Sequence, residues 1–208
     1  MPVVSKASDN KDAPLIKDVT GIILAGGRST RYGHNKALVS IDGLSLIERV
    51  IRVMRAIFQD IILITNTPDE YAHLGLPMYG DLIKGLGPMG GVYTGLSVIT
   101  HEAGFFVACD MPLLNKELIR YIIKSRNHFD VVVPRVSGMV EALHALYGRG
   151  CLPVVKRLID SRQYQTLRIF NEVSVRYVEE VEIRCFDPDL RSFININRPQ
   201  ELRRLERQ

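Results

Sequence analysis

A chain of 208 residues favours one domain, or one with a small appendage, and is ample for a single buried core. With 46% hydrophobic and 24% charged residues it has the composition of a globular protein, and no apolar run approaches the roughly 18 residues of a membrane helix. The net charge of +4 comes from scattered Lys and Arg residues, not a stripe, so nucleic acid is not indicated and a small anionic substrate fits equally well.

Cys109, Cys151 and Cys185 are far apart and form no CxxC pair. This argues against a disulfide framework or a zinc site and for a reducing, cytoplasmic setting. Their apolar neighbours predict that all three are buried. Met1 to Asp18 is polar and lacks an apolar signal core, so it reads as a loose tail ahead of one domain spanning 19–208.

The apolar run Val19–Leu24 meets a glycine pair, as a buried parallel strand does when it ends in a functional loop. Asp42-Gly43 marks a tight turn. Ser45 and Glu48 have capping-box spacing and open a helix to about Ile57. Asp60–Ile64 is a second buried strand and Leu76–Tyr79 a brief third. The glycine-rich stretch Gly85–Gly91 leads into a helix from about Val92 to Thr100. Phe105–Cys109 is a fourth strand, followed by Asp110 and an Asn115-capped helix over Lys116–Ser125. Further strands are expected at Val131–Pro134, Ala142–Tyr147, Val173–Val178 and Phe193–Asn197, with a helix over Pro153–Asp160. Asn197 and Gln200 suggest a second capping box before a last helix. This alternation specifies an α/β fold, a mostly parallel sheet covered by helices on both faces. Ligands bind such sheets beyond the carboxyl ends of the strands, where the loops after Leu24, Ile64 and Cys109 fall.

Gly26 and Gly27 let backbone amides approach a ligand, and Arg28, Arg31 and Lys36 add three cations within one loop. Amides and cations together suit a polyphosphate. The pattern matches neither GxGxxG nor GxxxxGK[ST], so dinucleotide-binding and P-loop chemistry are not supported. A flexible basic turn is the bland alternative. Asp110, at the carboxyl edge, is placed to hold Mg²⁺ against phosphate oxygens, although a strand-ending turn aspartate has the same local pattern. Gly85–Gly91 reads either as backbone near an anion or as a plain helix entry. Asp81 can accept from a base or ribose; Asn66 and Asn195 have weaker local cases. His144 alternates with apolar residues and reads as a satisfied core histidine. No nucleophile stands out, which suits direct attack by a substrate at phosphorus.

Leu24-Ala-Gly-Gly-Arg-Ser-Thr-Arg-Tyr-Gly-His-Asn-Lys36 resembles the LAGGxSxRMGxxK signature of Rossmann-like nucleotidyltransferases. Gly87–Gly91, Ala108–Pro112, Glu141–Tyr147 and Phe193–Leu202, in this order, resemble the molybdenum cofactor guanylyltransferases over nearly the whole chain after the tail. The last segment, close to FxNxNxPxEL, is the most discriminating. The resemblance implies a Rossmann-like three-layer fold. It also implies GTP and molybdopterin as substrates, and Mg²⁺, with Mn²⁺ as an alternative. Candidate partners then include molybdenum-insertion and molybdoenzyme-maturation proteins. Leu24, Ala25, Gly26 and Gly27 would contact the nucleotide and Lys36 would neutralise phosphate, with Arg31 beside it. Asp81 would contact the nucleotide, and Asp110 both nucleotide and metal. Asn66 is the nearest match to a base- or ribose-contacting asparagine, and Asn195 and Asn197 fall near the expected pterin site. Three departures stand out: Asn35 where many members carry Asp, Tyr32 for Met, and Ala142 for Pro. The rivals are a cytidylyltransferase acting on molybdopterin or on a sugar or polyol phosphate, and a non-catalytic nucleotide sensor or cofactor chaperone.

Overall fold

The computed structural model describes residues 13–26, 35–197 and 201–202. The strands are β1 (Val19–Leu24), β2 (Ser40–Ile41), β3 (Leu44–Ser45), β4 (Ile61–Ile64), β5 (Met78–Tyr79), β6 (Ala103–Ala108), β7 (Val131–Val136), β8 (Met139–Val140), β9 (His144–Gly148) and β10 (Val175–Glu179). The helices are α1 (Leu46–Arg55), α2 (Pro68–Tyr71), α3 (Pro88–Val98), α4 (Lys116–Lys124), α5 (Leu152–Asp160) and α6 (Glu180–Ile183). The main sheet runs β10-β7-β9-β6-β1-β4-β5, with β8 paired to β7. All pairings along this order are parallel except those of β9, which is antiparallel to both β6 and β7.

Alternation along the strands divides the core into two layers. Ile23, Phe105, Val107 and Leu146 pack with α1 (Ile47, Val50, Met54) and α4 (Leu118, Ile119, Ile122). Ile22, Leu24, Phe106 and Tyr147 pack on the opposite face with α3 (Met89, Val92, Leu96) and α5 (Val155, Leu158, Ile159). Burying both faces of each strand favours near-continuous apolar runs, as in β4 and in β1 apart from Thr20, whose buried hydroxyl is hydrogen-bonded to His101. A third, small cluster joins Ile41, Leu46, Ile196 and Leu202. It presses the C-terminal segment against the β2–β3 hairpin and the start of α1.

Local chemistry sets the element ends. Ser45 accepts from the Glu48 amide while the Glu48 carboxylate accepts from the Ser45 amide, so α1 opens on the expected capping box. Donation from the Ser45 hydroxyl, and then from its amide, holds the Glu48 carboxyl below its ordinary range. Asp42 and Gly43 both have positive φ, 51° and 84°, as a two-residue β2–β3 hairpin requires. Asn115 caps α4 by accepting from the amides of Glu117 and Leu118.

Several expectations need correction. The glycine-rich stretch is not a loop up to Gly91: Gly87, at φ 58°, ends it, and α3 begins at Pro88, which suits a helix's first turn. A Cβ on Gly91 would stand 3.1 Å from the Leu24 side chain, so the glycine lets α3 lie close on the end of β1. Phe193–Asn197 is not a strand but the end of a 3₁₀ turn over Arg191–Phe193 followed by an extended segment: the Phe193 and Ile194 amides close back on the Leu190 and Arg191 carbonyls, and only the Ile196 amide reaches a main-chain partner elsewhere, the Asp110 carbonyl. The acid that reaches back to the Asn197 amide is Glu201, while Gln200 lies outside the described residues. Cys151 is buried, but Cys109 is half-buried and Cys185 exposed. The tail boundary at Asp18 also shifts. Ile16 exchanges main-chain hydrogen bonds with Ile57 and Gln59, and the carbonyls of Ala13 and Pro14 accept from Arg120.

Candidate active site

The register explains how four strand ends become one site. Leu24 pairs with Ile64 on one side and Ala108 on the other, and Ile64 pairs with Tyr79. Two residues beyond each of these level positions stand Gly26, Asn66, Asp110 and Asp81. In parallel strands a shared register carries chain ends to a shared edge, so these four residues emerge side by side from β1, β4, β6 and β5. The backbone continues this order briefly. The Ala25 amide donates to the Ile64 carbonyl, and the Cys109 amide to that of Leu24. Leu24 and Ala25 are buried, whereas a Cβ on Gly26 would meet nothing within 4 Å among the described residues.

Lys36 comes to this edge from the 3₁₀ turn Lys36–Leu38, which Asn35 caps by accepting from the Ala37 amide. The Lys36 ammonium donates to Asp110 Oδ2 at 2.8 Å and to Asn197 Oδ1 at 2.9 Å. The pair is partly screened, with side chains 27% and 22% exposed, and the second Asp110 oxygen makes no hydrogen bond among the described residues. Asn197 is placed by burial of its neighbour. Ile196 is 1% exposed in the small third cluster, which turns Asn195 and Asn197 outward. Asn195 is exposed and makes no side-chain hydrogen bond among the described residues.

Asn66 and Asp81 form a second grouping. Asn66 Nδ2 donates to Asp81 Oδ2 at 2.7 Å, and the Asp81 amide donates back to Asn66 Oδ1 at 3.0 Å. The Leu82 amide donates to Thr94 of α3, which ties this loop to the helix. Gly27, Arg28, Arg31 and Tyr32 lie outside the described residues.

Burial shifts several titratable groups toward their neutral forms. Burial, reinforced by the Asp110 charge, pushes the Cys109 thiol up to about 12, which removes it as a nucleophile. Burial also raises the Glu141 carboxyl above its ordinary range. His144 is fully buried between Phe105 and Phe193, and burial lowers it to about 4. The expectation of a satisfied core histidine is half right: it is core, but neither ring nitrogen has a hydrogen-bond partner among the described residues.

Sequence reasoning missed that Lys36, Asp110 and Asn197 touch directly. It also missed Glu70 and Tyr71 as partners of Asn35, which accept from its amide at 2.6 and 2.7 Å. No local pattern signals contacts across 74 or 161 residues.

A glycine turn after β1, a lysine paired with an aspartate across the same edge, and polar side chains after the next two strands make an edge suited to a phosphate-bearing ligand. The model of the MobA-like NTP transferase domain matches residues 21–176, and the chain belongs to that family. A molybdenum cofactor guanylyltransferase from Desulfosudis oleivorans is 39% identical over 190 residues, covering 90% of this chain and 94% of the relative. Among solved structures, molybdopterin-guanine dinucleotide biosynthesis protein A from Archaeoglobus fulgidus superposes with TM-score 0.76 at 26% identity, over 89% of this chain and 95% of the other. The 4-diphosphocytidyl-2C-methyl-D-erythritol synthase of Anaerococcus prevotii shares the fold alone. Its TM-score is 0.63 at 14% identity, over 89% and 93% of the two chains.

Proposed function

We propose that this enzyme transfers GMP from GTP to the terminal phosphate of molybdopterin, giving the guanine dinucleotide cofactor and pyrophosphate. The observation that carries the reading is the Lys36–Asp110–Asn197 contact at the level carboxyl edge. It gathers a phosphate-neutralising cation, a carboxylate and a residue of the C-terminal segment around one point. The relatives named guanylyltransferases favour GTP over CTP.

In this mechanism a phosphate oxygen of molybdopterin attacks the α-phosphorus of GTP in line. The new P–O bond forms as the α–β bridging bond breaks, and pyrophosphate carries away the electron pair. The chain supplies positioning and charge, not a covalent intermediate. Asn66 and Asp81 hold the base or ribose beside β4 and β5. The Gly26 turn leaves room for the phosphates, and Lys36 turns from Asp110 to neutralise charge on them. Arg31 belongs to the same reading as a second cation.

The donor set also fits Mg²⁺. Among the described residues no three His, Cys, Asp or Glu side chains cluster to cage a metal. Mg²⁺ typically takes one or two carboxylates and completes its shell with phosphate and water. Asp110, with one oxygen uncommitted, is the residue that would hold it, and the ion would offset phosphate charge. Among the described residues no helix is long and apolar enough to cross a membrane. The free, unpaired cysteines support a cytoplasmic setting.

A pyrophosphate-release assay across the four nucleoside triphosphates, with molybdopterin as acceptor, tests the reading. Release with GTP alone is expected. Release with CTP instead would make the protein a cytidylyltransferase, and no release from correctly folded protein with any nucleotide would make it a sensor or carrier.

A further inference from the structure

Asn35 directly precedes Lys36 and directly follows residues 27–34 of the nucleotide loop. Its side chain makes three hydrogen bonds, two as donor and one as acceptor. Oδ1 accepts from the Ala37 amide at 3.1 Å, while Nδ2 donates to Glu70 Oε2 at 2.6 Å and to the Tyr71 hydroxyl at 2.7 Å. The two partners differ in kind. Tyr71 is 2% exposed and belongs to the core beneath α1, so it is a fixed post. Glu70 is exposed on α2, the short helix that follows the β4 end. One carboxamide therefore joins the foot of the loop, the turn that carries Lys36, and the wall on the side of Asn66.

We infer that Asn35 is a positioning residue for Lys36, and that its carboxamide, tied to Glu70 and Tyr71, sets where the lysine ammonium meets the nucleotide phosphates. The amide is essential to this arrangement. An aspartate has no N–H to offer, and at this place its charge would face the Glu70 carboxylate at hydrogen-bond distance. The Tyr71 hydroxyl can rotate to donate to an aspartate, so only the Glu70 contact turns repulsive. The family resemblance leads one to expect Asp here; in this chain Glu70 and Asn35 are matched to each other. The inference rests on the nucleotidyltransferase reading of Lys36.

The test is a charge-exchange set: Asn35→Asp, Glu70→Gln, Asn35→Asp with Glu70→Gln, and Asn35→Ala with and without Glu70→Gln. Each is measured for GTP affinity by calorimetry, for kcat and KM in pyrophosphate release, and for Tm. Asn35→Asp is expected to lower kcat/KM about tenfold, within the range that small misplacements of a catalytic group cost. Adding Glu70→Gln supplies an N–H to the new aspartate and is expected to recover activity to within about threefold of the parent. Asn35→Ala is expected to lose activity in a way that Glu70→Gln does not restore, because no charge conflict is present. Parent-like binding and turnover by Asn35→Asp overturns the inference. So does a folded double variant with parent Tm and no recovery, or an Asn35→Ala that Glu70→Gln rescues. If Asn35→Asp does not fold, the double variant decides: activity near that of the parent supports the inference, and loss of activity at parent Tm overturns it. If the parent protein fails to turn over GTP at all, the functional reading has failed. The calorimetric arm still reports whether the Asn35–Glu70 pairing governs nucleotide binding.

Discussion

The two polar groupings on the carboxyl edge are assembled by different routes. Asn66 and Asp81 are 15 residues apart and face each other because β4 and β5 are adjacent parallel strands in register. Nothing beyond that pairing is needed to bring them together. Lys36, Asp110 and Asn197 come from a 3₁₀ turn, a strand end and the C-terminal segment, separated by 74 and 161 positions. Their meeting depends on the small cluster of Ile41, Leu46, Ile196 and Leu202, and on the hydrogen bond from the Ile196 amide to the Asp110 carbonyl. The charged grouping, which we propose for the chemistry, thus rests on a minor core. The grouping we propose for nucleoside recognition rests on the main sheet.

The sharpest break in this comparison is Asp110→Ala or Lys36→Ala. Each is expected to lower kcat on the order of 10²–10³, the usual cost of removing one charge-stabilising group, with Tm nearly unchanged. Near-full turnover by Asp110→Ala in the presence of Mg²⁺ would remove the metal assignment.

The next largest effect concerns what lies under the C-terminal segment. His144, against Phe193, is held neutral and lowered to about 4, whereas the unfolded residue titrates at about 6.5. The unfolded chain therefore takes up a proton at a higher pH than the folded one does. Stability from this group is complete above about 6.5 and is lost as pH falls toward about 4, by on the order of 3 kcal/mol. Urea melts at pH 7, 5.5 and 4 are expected to show this loss in the parent, and His144→Phe is expected to lack that part of it. Equal acid sensitivity in both proteins would show that His144 does not carry the effect.

Ile196→Ala should loosen the third cluster. We expect kcat to fall about tenfold while GTP affinity holds, since misplacing a group near the chemistry is costly but the base site is untouched. A matching loss of GTP affinity would mean that the two groupings are not independent. The smallest effect is expected from Asn66→Ala, which should raise KM for GTP about fivefold, as loss of one ordinary hydrogen bond does, and leave kcat alone. A kcat defect in this variant would put Asn66 with the charged grouping.

Much of this architecture is legible in the sequence. Val19–Leu24 and Phe105–Ala108 announce buried strands because a strand covered on both faces is apolar along nearly all of its length. Ser45 and Glu48 announce a helix start because their bonds close within three residues. The alternation of strands and helices places the loops after Leu24, Ile64 and Cys109 on one edge as candidate binding segments. The final segment misled in its local form. Its alternating Ile and Asn residues have strand periodicity, but no neighbouring strand offers more than one main-chain partner.

Tertiary structure alone decided the rest. It turned β9 antiparallel within a parallel sheet, and it used Gly91 for close packing on Leu24 instead of for a loop. It also left His144 in the core without a hydrogen-bond partner for either nitrogen among the described residues, and it brought Asn197 against Lys36. The physical division is one of range. Periodicity, caps and turns are set by neighbours along the chain, whereas the Lys36–Asp110–Asn197 contact exists only once the sheet, α1 and the third cluster have brought distant segments together.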